Sequence, residues 1–530
     1  MKKAVYLTLI FILTICLSAC GGKTQTVNGQ TDLNIELIAT GWNNMAIPSD
    51  YNLNPYKKYI DEKYDCNFTL TVTPDLKTEL SKRYSTNKGK KPDVVVFYDE
   101  QFNIMKQLYN QGWFVEDYTP YLEQIPNIKG CVSEGTNAYY KLTENGNLIA
   151  LTIPADAHTW AFRIRKDWVE KYSPTGKNPV TVDELLEMGR NIKKDPQMEG
   201  KYLFTAAGDN LGVGYLGNFI YMFSNHAGWY VEDNKATNDI LSGAHKKWLD
   251  FIRTIYQEGL LDPDFYTQSW AQKRGKLATE KVGLDWYCAE IDEEICWSNK
   301  DNLDFSGKWT TLYMPTDTVG VERPAGQFES LDRLFVISKD AAKDETKMNK
   351  ILKFLNDIVY PSDTYYKLRW GIDIDGYEIG TGKNVQPVLD EKGEETGFYA
   401  YFDRLKSGAA KHTNGGLWDY GCFLSNRSDK YIEYLTASTY EKTAYEFIKL
   451  YNDAINYNDT KCSKNYSEVL NLNVRITNNL SDLTSEYEIA YIRGSEPYPY
   501  EQFVENWKSM GGNTLLESVE QQFRRANYIQ

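Results

Sequence analysis

Residues 91–98, KPDVVVFY, set five consecutive β-branched or aromatic residues behind a proline and an aspartate. A short run that is apolar on both faces is typical of a buried strand in a parallel sheet. Upstream, residues 32–39 and 68–72 alternate like strands, and residues 54–64 have the pattern of a helix. Downstream, residues 102–109 keep helical spacing. This β-α-β-α order predicts a protein built of α/β layers.

Further helices are predicted along the chain. Thr181 and Glu184 have the spacing of a capping box at the start of a helix. Residues 248–256 form an apolar stripe that ends at Gly259, and residues 348–355 form another. Burying one large apolar side chain contributes about 1.5–3 kcal/mol, so we expect these stripes to build cores and not sites.

The first thirty residues predict export and a lipid anchor. Two lysines precede the mostly apolar residues 4–16, a run shorter than the ~20 residues that a membrane-spanning helix needs. Leu17-Ser18-Ala19-Cys20 follows and resembles the bacterial lipobox. The resemblance implies a signal peptide at 1–19, acyl chains on Cys20 and a lipidated tether at 20–31. The alternative is an ordinary signal peptide with a chance cysteine.

Composition limits the function classes. A chain of 530 residues is long for one core, so two or more lobes are expected. Net charge is −14, and removing Lys2 and Lys3 lowers it to −16, which argues against nucleic acid as a partner. The charge also argues against a polyanionic ligand unless a local basic pocket overrides it. Aromatic residues make up 14% of the chain, an excess that suggests a surface for flat, apolar-faced ligands.

The rest of the sequence predicts neither a second membrane segment nor a zinc site. No second apolar run reaches membrane length, so we expect the mature chain to be soluble apart from its anchor. No two of the remaining cysteines form C-x-x-C, so a zinc site is not favoured. Export permits disulfides, but six cysteines allow fifteen full pairings and the choice stays open. These cysteines are Cys66, Cys131, Cys288, Cys296, Cys422 and Cys462.

Two motifs invite a catalytic or nucleotide-binding interpretation that the surrounding sequence does not support. Residues 212–217 spell G-x-G-x-x-G, but residues 206–210 break the strand that a dinucleotide-binding turn requires before it. The acidic run 292–294 is typical of a solvated helix face. H-E-x-x-H and G-x-S-x-G are both missing from the sequence. We therefore predict no catalytic residues and no cofactor.

Several motifs occur in a distinctive order. Pro154 is followed by Arg165-Lys166-Asp167-Trp168, by residues 179–184 and by Asp195-Pro196. Residues 256–265, YQEGLLDPDF, come next, before Gly275-Lys276 and Gly283. From about residue 33 to 530 the chain resembles the extracellular solute-binding proteins of bacterial ABC importers, family 1 type. The resemblance is to their long lipoprotein branch, which is associated with oligosaccharide uptake.

That resemblance implies a periplasmic-binding-protein-like fold of class II type. Two hinged α/β lobes, each built from discontinuous segments, would trap the ligand between them. The first lobe would comprise residues 32–154 and 327–395, and the second residues 155–326 and 396–530. The implied partners are an oligosaccharide and the ABC permease subunits, with the binding protein a monomer anchored on the extracytoplasmic face of the cell membrane. A surface glycan-active enzyme, hydrolase or lyase, and a binding protein for a peptide or other non-sugar solute are the alternatives.

Candidate ligand contacts are the aromatic and polar residues expected at strand ends that face the cleft. Aromatic rings suit the C–H faces of a sugar, and Asp, Glu, Asn or Arg suit its hydroxyls. For each of them the alternative role is core packing, capping or a salt bridge. The candidates are Trp42, Asn43, Tyr98, Asp99, Glu100, Asp156, His158, Trp160, Trp229, Trp286, Tyr287, Arg333 and Trp370.

A loop beginning at Asp195 has the outline of a calcium site. Relatives often carry Asp-x-Asn-x-Asn-Gly here, and calcium needs hard oxygen ligands at alternate positions. This chain has Asp195, Gln197 and Glu199, and Ala206 replaces the bidentate acid expected at the twelfth position. We expect the turn to form without a metal.

Overall fold

The structure is a computed structural model. It describes residues 33–40, 55–73, 75–85, 90–154, 160–210, 212–288, 308–326, 331–359, 362–370, 385–389, 395–401, 453–454, 456–457 and 460–530. Within these parts of the chain, no helix combines the length and the apolarity that crossing a bilayer would need.

The strands are β1 (Asn34–Thr40), β2 (Asn67–Thr73), β3 (Val94–Tyr98), β4 (Thr143–Glu144), β5 (Asn147–Leu148), β6 (Leu151–Pro154), β7 (Trp160–Arg165), β8 (Trp229–Glu232), β9 (Lys235–Asn238), β10 (Leu284–Cys288), β11 (Trp309–Thr311), β12 (Leu331–Ile337), β13 (Val385–Leu389) and β14 (Glu395–Tyr401).

The α-helices are α1 (Pro55–Tyr64), α2 (Leu76–Ser85), α3 (Phe102–Asn110), α4 (Pro126–Lys129), α5 (Asn137–Leu142), α6 (Lys166–Tyr172), α7 (Val182–Lys194), α8 (Asp239–Ser242), α9 (Ala244–Gln257), α10 (Trp270–Ala278), α11 (Glu345–Asp357), α12 (Asp363–Trp370), α13 (Val474–Arg493), α14 (Tyr500–Trp507) and α15 (Asn513–Arg525). Short 3-10 helices include Pro196–Met198, Gly214–Met222 and Tyr466–Val469.

The first lobe is built around a five-stranded sheet in the order β2-β1-β3-β12-β6. Strand β1 pairs in parallel with β2 and β3, as the pattern of residues 91–98 predicts for the buried strand. The other neighbour of β3 is β12, which runs antiparallel to β3 and to β6. All five residues of β3 are buried, which explains why the strand is apolar on both faces.

The aspartate before β3 ties three elements of this lobe together. Asp93 is 8% exposed, and its Oδ2 accepts a hydrogen bond from the backbone N–H of Glu36 at 2.8 Å. Its Oδ1 accepts from Lys347 Nζ of α11 at 2.9 Å. A buried carboxylate needs such partners, and here they fix the start of β1 and one helix against β3.

The second lobe contains a three-stranded antiparallel sheet in the order β10-β7-β11. Helices α7, α9, α13 and α14 contribute buried apolar residues to its core. At the end of β7, Arg165 donates bidentate hydrogen bonds to Asp167 at 2.8 and 2.7 Å. Its guanidinium carbon lies 5.9 Å from the ring centroids of both Trp168 and Trp309. The Arg165–Trp168 motif therefore packs β7, α6 and β11 against one another.

The chain passes between the two sheets more than once. Strand β6 lies in the first sheet and β7 in the second, whereas β11 lies in the second and β12 in the first. Lobes made of discontinuous segments follow from this path. The predicted lobe boundaries at 154/155 and 326/327 adjoin residues outside the described ranges, so these boundaries stay predictions.

The helix predictions hold with one difference. Thr181 caps α7 by accepting from the N–H of Glu184, as predicted. In a capping box the Glu184 side chain would accept a hydrogen bond from the N–H of Thr181. Here it accepts from the N–H of the preceding residue, Val180. The stripes at 248–256 and 348–355 lie within α9 and α11 and are largely buried.

Candidate ligand-binding site

Four half-buried aromatic side chains of the second lobe form a continuous surface, which we name the aromatic platform: Trp160, Tyr215, Trp270 and Trp286. The rings of Trp160 and Trp286 stack with centroids 4.6 Å apart, and Tyr215 lies 4.6 Å from Trp286. Tyr215 also meets the edge of Trp270 at 5.2 Å. Because none of the four is fully buried, the platform presents apolar ring surface to solvent.

Regular elements position each ring of the platform. Trp160 begins β7, and Trp286 lies on the adjacent strand β10, opposite Phe162 in the pairing register. The two tryptophans are therefore diagonal neighbours across an antiparallel pair, within reach of large side chains. Trp270 is the first residue of α10, whose start is fixed by a capping box between Ser269 and Gln272. Tyr215 lies in the 3-10 helix Gly214–Met222.

A buried ion pair lies beneath the platform. Lys273 has no exposed side-chain surface, and its Nζ donates to both carboxylate oxygens of Asp285 at 2.9 Å. The same ammonium lies 3.9 Å from the ring centroid of Trp270 and 4.9 Å from that of Tyr215. Burial raises the pKa of Asp285, and the positive charges of Lys273 and Arg163 partly offset this rise.

Polar groups lie together where β3 ends and β12 begins, within the first-lobe sheet. We name them the strand-end cluster: Tyr98, Asp99, Lys141 and Arg333. Tyr98 and Arg333 face each other in the β3–β12 register, with the guanidinium carbon 4.1 Å from the tyrosine ring centroid. Asp99 accepts from Lys141 Nζ at 2.7 and 2.8 Å. Asp99 keeps 30% of its side chain exposed, so it can also accept a hydrogen bond from outside the protein.

The strand-end cluster and the aromatic platform are held near each other by the chain itself. Strand β6 ends at Pro154 beside the start of β12, where Leu331 pairs with Pro154. Strand β7 begins six residues later at Trp160. Six residues span at most about 20 Å, so the end of β6 and the start of β7, which carries Trp160, lie within that distance of each other.

Among the candidate contacts outside the platform and the strand-end cluster, Trp229 alone has a side chain that the structure describes. Trp229 packs against Trp507 at 6.0 Å and against the cores of the C-terminal helices. Four predicted residues lie outside the described part of the chain: Trp42, Asn43, Asp156 and His158. For Glu100, Tyr287 and Trp370 the structure describes only the backbone, in a 3-10 helix, in β10 and in α12.

In the calcium-type loop, hydrogen bonds from protein groups occupy the carboxylate of Asp195. Asp195 Oδ2 accepts from Lys171 Nζ at 2.8 Å and from the Tyr172 hydroxyl at 2.7 Å, and Oδ1 accepts from the N–H of Gln197. These bonds, with that to Lys171 foremost, lower the pKa of Asp195 to about 2. Across the described residues, no group of three or more His, Cys, Asp or Glu side chains could hold a metal ion.

The sequence patterns do not predict three residues of the platform region: Tyr215, Trp270 and Lys273. Tyr215 lies inside the glycine motif of residues 212–217, and that motif gives no indication that its ring joins a surface of tryptophans. The spacing of Ser269 and Gln272 predicts a helix start, which would have placed Trp270 at a helix N-terminus. No local pattern identifies Lys273 as buried, because its partner Asp285 lies 12 residues away on a strand.

Two discontinuous α/β lobes, with aromatic and polar groups at the point where the chain crosses between them, define the class of two-lobed solute-binding proteins. The chain belongs to the bacterial extracellular solute-binding protein family, whose family model matches residues 53–356. Members of this family bind solutes and are not enzymes, which confirms the prediction of a non-catalytic protein.

Individual relatives span nearly the whole chain. The polygalacturonan/rhamnogalacturonan-binding protein YtcQ of Bacillus subtilis (strain 168) is 22% identical over 540 residues, covering 99% of each chain. Lipoprotein LipO of the same organism is 23% identical over 495 residues, covering 89% of each. An HMO-binding, ABC-transporter-associated solute-binding protein from Bifidobacterium longum infantis has a TM-score of 0.62 at 16% identity, covering 94% of this chain and 99% of that one. At this identity the structural likeness shows the shared fold.

Proposed function

We propose that this protein captures an oligosaccharide between its lobes and delivers it, chemically unchanged, to the membrane permease of an ABC importer. The aromatic platform is the observation that carries the proposal. Stacked, half-buried rings offer the flat apolar surface that the C–H faces of a sugar need in water. The strand-end cluster supplies charged groups for the hydroxyls at the sugar's edges.

The two groups have different parts in recognition. The platform favours any sugar with a flat apolar face, because ring stacking has little directional demand. Hydrogen bonds depend on direction, so the strand-end cluster, through the partly exposed carboxylate of Asp99, would discriminate among hydroxyl patterns. We therefore assign affinity mainly to the platform and specificity mainly to the strand-end cluster.

Relatives suggest which sugars to test first. YtcQ is named for polygalacturonan and rhamnogalacturonan, and the Bifidobacterium protein is named for HMO. We propose fragments of polygalacturonan or rhamnogalacturonan as the first ligands for this chain, since YtcQ matches it over almost its full length. Such acidic sugars require local positive charge on a chain of net charge −14, and we assign that charge to Lys141 and Arg333 of the strand-end cluster. A non-sugar solute such as a peptide is the alternative outcome of the same test.

We also propose a lipid anchor at Cys20 on the extracytoplasmic face of the membrane. The support is the lipobox-like sequence 17–20 and the relative LipO, which is named a lipoprotein. Two or three acyl chains hold a protein stably, whereas a single chain gives marginal binding. Mass spectrometry of the membrane-extracted protein and of a Cys20→Ser variant tests this directly, since only the former should carry acyl mass.

Transport requires that the liganded state differ from the free state. Closure of two lobes about a hinge buries the ligand and gives the permease a distinct shape to bind. The ligand shifts that equilibrium only by its greater affinity for the closed state. Contacts from both lobes to one ligand, from the platform and the strand-end cluster, would supply that difference.

A thermal-shift screen of the mature protein against a glycan and peptide panel tests the proposal. We expect one class of oligosaccharide to raise the unfolding temperature, because a ligand that binds only the folded state stabilises it by mass action. Mass spectrometry of the recovered ligand should show an unchanged mass. Stabilisation by peptides alone, or cleavage of the glycan, would contradict the proposal.

A further inference from the structure

We propose that Lys273 is a positioning residue that holds the aromatic platform in its binding geometry from beneath, by pairing with Asp285 and lying under Trp270 and Tyr215. The inference rests on the proposed function for its effect on binding. Its effect on the platform itself stands on the geometry alone.

The environment of Lys273 is unusual for a lysine. Its side chain is fully buried, and lysine is almost never buried unless it is paired. Both oxygens of Asp285 lie 2.9 Å from its Nζ, and the Asp285 side chain is only 4% exposed. A cation desolvated in this way interacts more strongly with a neighbouring aromatic ring than an exposed one does.

One side chain thereby connects three of the four platform residues. Lys273 lies three residues after Trp270 on α10, so both project from the same helix face. Tyr215 comes from a different element, the 3-10 helix Gly214–Met222, and its ring is 4.9 Å from the ammonium. Asp285 directly precedes Trp286 on β10, so the ion pair also ties α10 to the strand that carries the third ring.

Without the ammonium, the rings lose the common group that fixes their mutual angles. Trp270 and Tyr215 would keep their elements but could adopt other rotamers, because each is only half-buried. A binding surface in the wrong rotamer must reorganise before the ligand binds, and this lowers affinity. Lys273 therefore acts on the ligand through the rings and does not touch it.

The test compares the wild type with a variant that lacks the whole buried ion pair. Removing either member alone would leave a buried charge uncompensated, whereas replacing both members of a buried pair is tolerated far better. The comparison is therefore the wild type against the double variant Lys273→Met/Asp285→Asn. Lys276→Met/Asp262→Asn serves as the matched control, since it removes an ion pair of the same helix that has Asp262 as its acidic partner. Lys273→Gln/Asp285→Asn replaces the double variant if the methionine version does not fold.

The first readout needs no ligand. The contacting Tyr215 and Trp270 rings, with centroids 5.2 Å apart, should give a near-ultraviolet circular-dichroism band, assigned as the band that Trp270→Phe abolishes. We expect the control Lys276→Met/Asp262→Asn to retain this band and the double variant Lys273→Met/Asp285→Asn to lose at least half of it. An unchanged band in a folded double variant would overturn the proposal.

The second readout is affinity for trigalacturonic acid by calorimetry. We expect the double variant to bind at least tenfold more weakly than the wild type, and Lys276→Met/Asp262→Asn to bind like the wild type. Equal affinities for the double variant and the wild type would also overturn the proposal. If the wild type binds neither trigalacturonic acid nor any other glycan, the proposed function fails, while the dichroism still decides the role of Lys273.

Discussion

At the scale of single residues, the sequence predicts aromatic contacts near strand ends but not which of these rings lie together. Trp160 and Trp286 are both predicted contacts, and the structure stacks their rings with centroids 4.6 Å apart. Trp229 is predicted on the same ground but packs against Trp507. The difference is the strand register, which places Trp286 diagonally across from Trp160 and is set by contacts more than a hundred residues apart.

Replacing one platform ring should weaken binding without unfolding the protein. We expect Trp286→Ala to reduce oligosaccharide affinity at least tenfold, because the ligand loses a stacking surface and Trp160 and Tyr215 lose a neighbour. Calorimetric titration with the ligand found by the thermal-shift screen measures this. Trp229→Ala is the matched control, since it removes the same side chain away from the platform. Equal losses in both variants would show that the platform is not the binding surface.

Gly283 is one of the motif residues, and close packing against Trp168 explains why this position is a glycine. A Cβ atom at this position would lie 2.1 Å from Trp168 Cε3, closer than any real contact. We expect Gly283→Ala to destabilise the fold by about 1–3 kcal/mol through overpacking. Gly275→Ala is the control, because Gly275 is inside α10 with open space around it and should gain about 0.5–1 kcal/mol. Urea unfolding of both variants measures the difference, and a stable Gly283→Ala protein would contradict the packing account.

At the scale of elements, local patterns predict which segments form helices and strands, but they do not predict which distant strands pair. The capping residue Thr181 and the stripes of α9 and α11 depend on neighbours within one or two turns, which the sequence displays directly. Strand β3 was predicted to be buried and parallel, and it is, but its antiparallel partner β12 enters more than 200 residues later. Such a partner cannot be inferred from local periodicity.

The loop at Asp195 should respond to acid in a predictable direction. The pKa of Asp195 is lowered to about 2, below its ordinary range, chiefly by Lys171. A carboxylate with a lowered folded-state pKa stabilises the fold above its unfolded pKa of about 3.9, and this contribution is lost as the pH falls towards 2. Lys171→Met should raise the Asp195 pKa towards its ordinary value. Carboxyl NMR titration measures both, and an unshifted pKa in the variant would contradict the pairing with Lys171.

The same loop predicts how the protein responds to calcium. Because Lys171, Tyr172 and the N–H of Gln197 already occupy Asp195, we expect neither calcium nor a chelator to change the unfolding temperature. Calorimetric melting with millimolar calcium and with a chelator measures this. A rise with calcium that Lys171→Met enlarges would show instead that lysine and metal compete for the loop.

At the scale of the whole molecule, the resemblance to solute-binding proteins predicts the two-lobed fold, which composition alone does not specify. Length and charge indicated only more than one lobe and an unfavourable surface for nucleic acid. The described structure adds contacts between distant parts of the chain that no sequence pattern reveals. Asn137 of α5 donates to Glu468, which is 331 residues away, and accepts from the Tyr528 hydroxyl near the C-terminus. These bonds join the first lobe to the C-terminal segment, and their pairing is fixed only by the complete fold.

The proposed capture of a solute requires the two lobes to close over it. Small-angle X-ray scattering of the mature protein, titrated with the oligosaccharide identified by the thermal-shift screen, measures this most directly. The radius of gyration should fall and reach a plateau at one ligand per protein, while the Trp160→Ala/Trp286→Ala variant should show no change at the same concentrations. A radius of gyration that stays constant while the wild type demonstrably binds the sugar would contradict the claim.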